Sequence, residues 1–184
     1  MLSDRIRGVT VHLFVDETKR AGYVLAAVTV ADPVATRKLL RELVLAGQRR
    51  IHMKHEQDRR RRALVSALTV TTGIRVDIYD AARRYTTERE ARTACLTALV
   101  SNISVLSHDV HLVLEQDDTL ISSDRQVLYR AARTAECSSR LRYDHSPAHA
   151  EPLLALPDIA AWCWVRSGDW RRRIRPLLET VHTV

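Results

Sequence analysis

Two stretches near the start of the chain are almost wholly apolar and rich in β-branched or aromatic residues: Val9 to Asp16, VTVHLFVD, and Tyr23 to Val30, YVLAAVTV. Only the polar turn ETKRAG, with Gly22, separates them, so the spacing predicts an antiparallel hairpin. Ala31-Asp32-Pro33 ends the second strand, with Asp32 as N-cap and Pro33 as the first residue of a helix running to about Ala46, before Gly47. The segment QRRIHMKHE follows, and then a predicted helix from Gln57 to about Val70, closed by Thr71 to Gly73.

Ile74 to Tyr79, IRVDIY, alternates apolar and polar positions and reads as a third strand with one buried face. From Thr87 to Leu106, Ala91, Cys95, Ala98, Leu99, Ile103 and Leu106 recur at three- and four-residue steps, the signature of an amphipathic helix. Val110 to Leu114, VHLVL, gives a fourth strand that runs into the acidic turn EQDD. A helix from about Ser123 to Cys137, a short strand at Leu141 to Tyr143, and two closing helices, Leu153 to Val165 and Trp170 to Val181, complete the prediction. Strands separated by helices pair most easily as parallel crossovers. The expected fold is therefore a single α/β domain over residues 1–184: a mixed five-stranded sheet, antiparallel in its first hairpin and parallel later, flanked by helices.

Composition narrows the possibilities. With 184 residues, 5 Gly, 5 Pro and no low-complexity tract, the chain is expected to fold as one unit. No apolar run approaches the roughly 18 residues needed to span a bilayer, and the opening MLSDRIRG lacks a signal-type block, so no membrane association and a cytoplasmic location are expected. Cys95, Cys137 and Cys163 are odd in number and widely spaced, which suits buried thiols rather than disulfides or a zinc ribbon. Lys and Arg exceed Asp and Glu by 29 to 22, a net charge of +7 carried nearly all by arginine, which favours a polyanion such as nucleic acid as partner. No glycine-rich phosphate loop is present, which disfavours nucleotide-driven chemistry.

Acidic residues recur at the ends of apolar elements. Asp16 and Glu17 end the first strand, Glu115 ends the fourth, and Asp117 and Asp118 lie just beyond it. If these strands are parallel neighbours, Asp16 and Glu115 sit side by side at one sheet edge, where close carboxylates repel unless a cation separates them; hard oxygen donors suit Mg²⁺ or Mn²⁺. Asp16 as a simple turn former is the alternative. Asp158 lies in the apolar run LLALPDIAAWCW, either as a metal ligand or as an acid at a helix start, with Glu151 a looser candidate and Glu88 or Glu90 possible at the same edge. His52, Lys54 and the run Arg59, Arg60, Arg61 and Arg62 are candidates for contacts to a phosphate backbone, against the reading of a solvated loop and helix face. Arg171 to Arg173 would extend that grip. A zinc site at His52 and His55 is disfavoured for want of a third ligand nearby, and Trp162, Trp164 and Trp170 read as packing residues.

The ordered segments LFVDE at 13–17, YVLAAVTV at 23–30, RIHMKHE at 50–56, LVLEQDD at 112–118 and EPLLALPDIAAW at 151–162 resemble the domain of unknown function 3800 family, a branch of the ribonuclease H-like superfamily, in its arginine-rich actinobacterial form. Asp16, Glu17 and Thr18 match the family's D-E-S/T signature, Asp158 its L-x-x-A/P-D-x-x-A pattern, and Glu115 stands where the family often has Asp. The resemblance covers nearly the whole chain and implies a ribonuclease H-like fold. It also implies carboxylates that hold two divalent ions roughly 4 Å apart for phosphodiester hydrolysis. The function expected is a metal-dependent nuclease acting on RNA or DNA, with Asp16, Glu115 and Asp158 as catalytic metal ligands and Glu17 and Glu151 as outer or alternate ligands. The alternative is a non-catalytic module that binds nucleic acid, a protein partner or a second copy of itself.

Overall fold

The computed structural model describes residues 10–184; Val9, where the first strand was expected to begin, and the opening MLSDRIRG lie outside them. Strand β1 (Val11–Thr18) and strand β2 (Tyr23–Val30) form the expected antiparallel hairpin. Its turn needs Gly22: φ is +120°, and a Cβ there would lie 2.5 Å from the carbonyl oxygen of Ala82. Helix α1 (Pro33–Leu43) starts as anticipated, with Asp32 accepting from the Ala35 amide at 2.9 Å. A single 3₁₀ turn at Met53–His55 leads into helix α2 (Asp58–Thr69), then strand β3 (Ile74–Ala82). Thr87 and Glu90 form a capping box at the start of helix α3 (Glu88–Ser104). Strand β4 (Val110–Glu115), helix α4 (Ile121–Thr134), strand β5 (Leu141–Ser146) and helix α5 (Ala155–Arg166) follow.

The chain departs from expectation after α5. In place of one helix over 170–181 there is a short helix α6 (Gly168–Ile174), a 3₁₀ turn at Arg175–Leu177 and a sixth strand, β6 (Leu178–Thr183). Pro176 has no amide to continue the helix, and beyond it LETVHT supplies the β-branched residues Thr180, Val181 and Thr183. The sheet is six-stranded in the order β5-β4-β1-β2-β3-β6; β1 with β2 and β2 with β3 are antiparallel, and the remaining pairs are parallel.

Alternation along the central strands divides the core. Phe14, Val24, Ala26, Val28 and Val113 face one layer, packed with residues of α1, α2, α5 and α6. Val15, Leu25, Ala27, Leu112 and Leu114 face the other, beneath α3 and α4. Cys95, Cys137 and Cys163 are free and buried, as their spacing suggested. Among the described residues, no helix is long and apolar enough to cross a membrane.

Candidate functional site

The pairing of β1 with β4 is parallel, with Val15 opposite Leu114, so one step further along both strands brings Asp16 and Glu115 to adjacent positions. The two-residue period places Asp16 on the side of Phe14, and Glu115 on the side of Val113. That is the side covered by α5, whose first turn carries Asp158. Three acids distant in sequence thereby reach one cavity of about 850 Å³, which Asp117 and Asp118 also line.

Asp16 is held well above the usual carboxylate range, first by burial and then by the charges of Glu115, Glu17 and Asp158; one amide bond, from Glu17 N at 2.7 Å, works in the opposite direction. The other two acids have cationic or polar partners. Arg50 donates to Glu115 Oε1 at 2.7 Å. Asp158 Oδ2 accepts from the Met53 amide at 2.7 Å and lies 3.2 Å from His52 Nδ1. These contacts tie the 3₁₀ turn at Met53–His55 to α5. Asp158 is thus an acid in the first turn of a helix, as one of its two sequence readings had it, and it also lines the cavity.

Glu17 follows the other face of β1. It borders the cavity, but its carboxylate pairs with Arg92 Nη1 at 2.5 Å on the side of α3 and α4. Arg92 is buried; it also makes a bidentate pair with Asp124, at 2.7 and 2.8 Å, and donates to the Tyr23 hydroxyl at 3.1 Å. His145 Nε2 lies 3.1 Å from the same Asp124. For Asp124, burial raises the pKa, but the bonds from Arg92 and His145 outweigh it and leave the group below its usual value. Sequence reading missed this network. Its signal was an arginine on the apolar face of α3, beside Ala91 and in step with Cys95, Leu96 and Leu99.

Glu151 is not brought to the acidic cavity. It holds Arg37 through two bonds, at 2.9 and 2.8 Å, and accepts from the Leu153 amide at 3.1 Å. Glu88 pairs with Lys19, and Glu90 serves the capping box. Among the basic candidates, His52 and Lys54 line the cavity together with Arg20 and Arg50, which sequence reading had not singled out.

The arginine run divides. Arg60 bonds the carbonyl of Leu43 and lies 4.0 Å from Glu56. Arg61 donates to the carbonyls of Met53 and Lys54 and to Asp58, and its guanidinium lies 4.7 Å from the centre of the Trp162 ring. Both side chains fasten the turn before α2 instead of facing solvent. Arg59 is exposed, and Arg62 rests over Trp170 at 5.8 Å. Arg171 stacks on Trp164 at 3.8 Å, while Arg172 and Arg173 pair with Asp169. The tryptophans pack against arginines and each other, Trp162 meeting Trp170 edge to face at 5.0 Å.

The donor set at Asp16, Glu115 and Asp158 fits a hard divalent cation by kind: carboxylate oxygens around one partly buried acid whose ionisation is disfavoured by its neighbours. As the side chains stand, with Glu115 turned to Arg50 and Asp158 to His52, no group of three His, Cys, Asp or Glu among the described residues has ligand spacing.

No family model matches this chain, and no curated protein matches it. Among solved structures, the chain is similar to the crystal structure of a mutant of Bst-RNase HIII, at 15% identity and a TM-score of 0.50, over 84% of this chain and 51% of that one. The chain therefore spans about half the length of that neighbour. At this identity the likeness concerns the fold, and the mixed α/β architecture described above is of the ribonuclease H-like kind.

Proposed function

We propose that this protein is a divalent-metal-dependent nuclease acting on RNA or DNA phosphodiesters, with Asp16, Glu115 and Asp158 as the residues that hold Mg²⁺ or Mn²⁺. The observation that carries this reading is the convergence of those three acids on one cavity, on the α5 side of two parallel strand ends. The resemblance of LFVDE, LVLEQDD and LPDIAAW to the domain of unknown function 3800 family, and the ribonuclease H-like neighbour, point the same way.

A divalent ion supplies Lewis acidity toward a phosphoryl oxygen and makes water a better nucleophile at neutral pH. The chain's own residues do the rest. Asp16 is costly to ionise where it lies, so a cation shared with Glu115 and Asp158 would favour its charged form. Arg50 pairs with Glu115 and offsets part of the cluster's negative charge, while His52 lies within hydrogen-bond distance of Asp158. Lys54, Arg20 and Arg50 at the same cavity give a phosphodiester a cationic wall, and the exposed Arg59 and Arg62 extend it along α2. Glu17 acts as a positioning residue: fixed by Arg92, it holds the end of β1 in place.

A second reading keeps the nucleic-acid partner and drops the chemistry. The Arg50–Glu115 and His52–Asp158 contacts favour it, because they satisfy two of the three acids without any metal. Mn²⁺ separates the two. For a metal enzyme, Mn²⁺ raises Tm by mass action and labelled single- or double-stranded RNA or DNA is cut; for a binding module, Tm is unmoved and nucleic acid is bound intact.

A further inference from the structure

A second, smaller cavity of about 300 Å³ lies between α1, the segment at 49–51 and the loop at 148–150. Its charge is one-sided. Arg41, Arg49, Arg50 and His149 line it, and no carboxylate does. Arg50 is the member with an acidic partner, Glu115 in the neighbouring cavity. Arg41 lies near enough to Glu151 to help depress its pKa, but that carboxylate is already gripped on both oxygens by Arg37. Arg49 pairs with no acid among the described residues. Leu40, Ile51 and Ala155, all buried, give the hollow an apolar floor beside the arginines.

Guanidinium groups gathered at one hollow repel unless an anion lies among them, and their forked donors match the oxygens of a phosphate group. An apolar floor does nothing for a bare anion, yet it accepts a ring. The volume is at the lower end for small-molecule sites and far too small for a duplex. We propose that this cavity binds a single nucleotide, its phosphate held by Arg41, Arg49 and Arg50 and its ring over Leu40 and Ile51. Arg50 lines both cavities, so a nucleotide seated here lies next to the acidic site. The inference does not need the metal chemistry proposed above; that reading adds only that the nucleotide is the end of a strand whose next phosphodiester enters the acidic cavity.

The test is calorimetric titration of the full chain with adenosine 5′-monophosphate in EDTA, so that failure of the metal reading leaves this one standing. Saturable binding is expected, at least tenfold tighter than inorganic phosphate. The double variant Arg41→Ala/Arg49→Ala, at two exposed positions, should weaken it at least tenfold with Tm unchanged, and Ala150→Trp, which fills the hollow, should abolish it. A 5′-phosphorylated dinucleotide that binds more tightly than the mononucleotide identifies a strand end, and equal affinity identifies the free nucleotide; either supports the site. No saturable binding, binding untouched by the double variant, or binding that appears only with Mn²⁺ would overturn it.

Discussion

Arg50 and Glu115, 65 residues apart, meet at 2.7 Å in the lining of the acidic cavity, so the acid at the end of β4 is held by an arginine from the loop before α2. A divalent cation bound there competes with that guanidinium. Arg50→Met should therefore tighten Mn²⁺ binding several-fold. Because both partners are partly exposed, the pair contributes under about 1 kcal/mol to stability, and Tm should change little. Titration with Mn²⁺ checks the first effect and a melting curve the second; unchanged or weaker Mn²⁺ affinity would mean that Arg50 does not compete.

Asp16→Asn keeps the shape of the side chain and the acceptor for the Glu17 amide while removing a charge that burial and three neighbouring acids disfavour. Metal-dependent cleavage should be lost, nucleic-acid affinity should be unchanged or slightly stronger, and Tm should rise by a few degrees. If Asp16 is instead a structural turn former that depends on its charge, the variant loses about 1 kcal/mol and melts lower.

Asp124 and Arg92 make a different prediction because both are buried. Arg92→Met leaves Asp124 in the core with only His145 beside it and should cost about 3–5 kcal/mol. The pH dependence follows from the lowered pKa of Asp124, whose ordinary value is 3.8. Its stabilising effect is complete above that value and is lost as pH falls through the lower folded-state pKa. Asp124→Asn should be much less stable than wild type at pH 7, with the gap in Tm narrowing only as pH falls below 3.8. A gap that is constant with pH would show that the charge on Asp124 is immaterial.

Arg59 and Arg61, two places apart on α2, should behave oppositely. Arg59 is exposed, so Arg59→Ala should leave Tm alone and lower the salt dependence of nucleic-acid binding by about one counterion. Arg61 bonds two carbonyls and stacks on Trp162, so Arg61→Ala should lower Tm. Binding measured by anisotropy across a salt series separates the two; equal effects on the salt slope would contradict this division of the arginine run.

Five of the six strands could be read from sequence: β3 by its alternation, β5 in its first half, and the other three by strong apolar patterns. β1, β2 and β4 are buried on both faces, and their runs are apolar enough to mark both the strands and the acids at their ends. β6 left a weak trace because it is an edge strand with mostly exposed side chains, and the arginine-rich segment before it has helical spacing. The roles of individual charged residues were harder to read. Alternation separates Asp16 from Glu17, but in sequence the two look like a single acidic motif. Arg60 and Arg61 look like solvated charges because nothing local reveals that long side chains turn back to cap carbonyls. Arg50 and Arg92 find their carboxylates across 65 and 32 residues, distances at which no sequence periodicity applies.

The most direct test of the central claim is an anomalous difference map from a crystal of this protein soaked in Mn²⁺. A peak is expected within coordination distance of Asp16, Glu115 and Asp158, with Arg50 displaced from Glu115. A fully soaked crystal with no peak at Asp16, and with Arg50 still on Glu115, would contradict it.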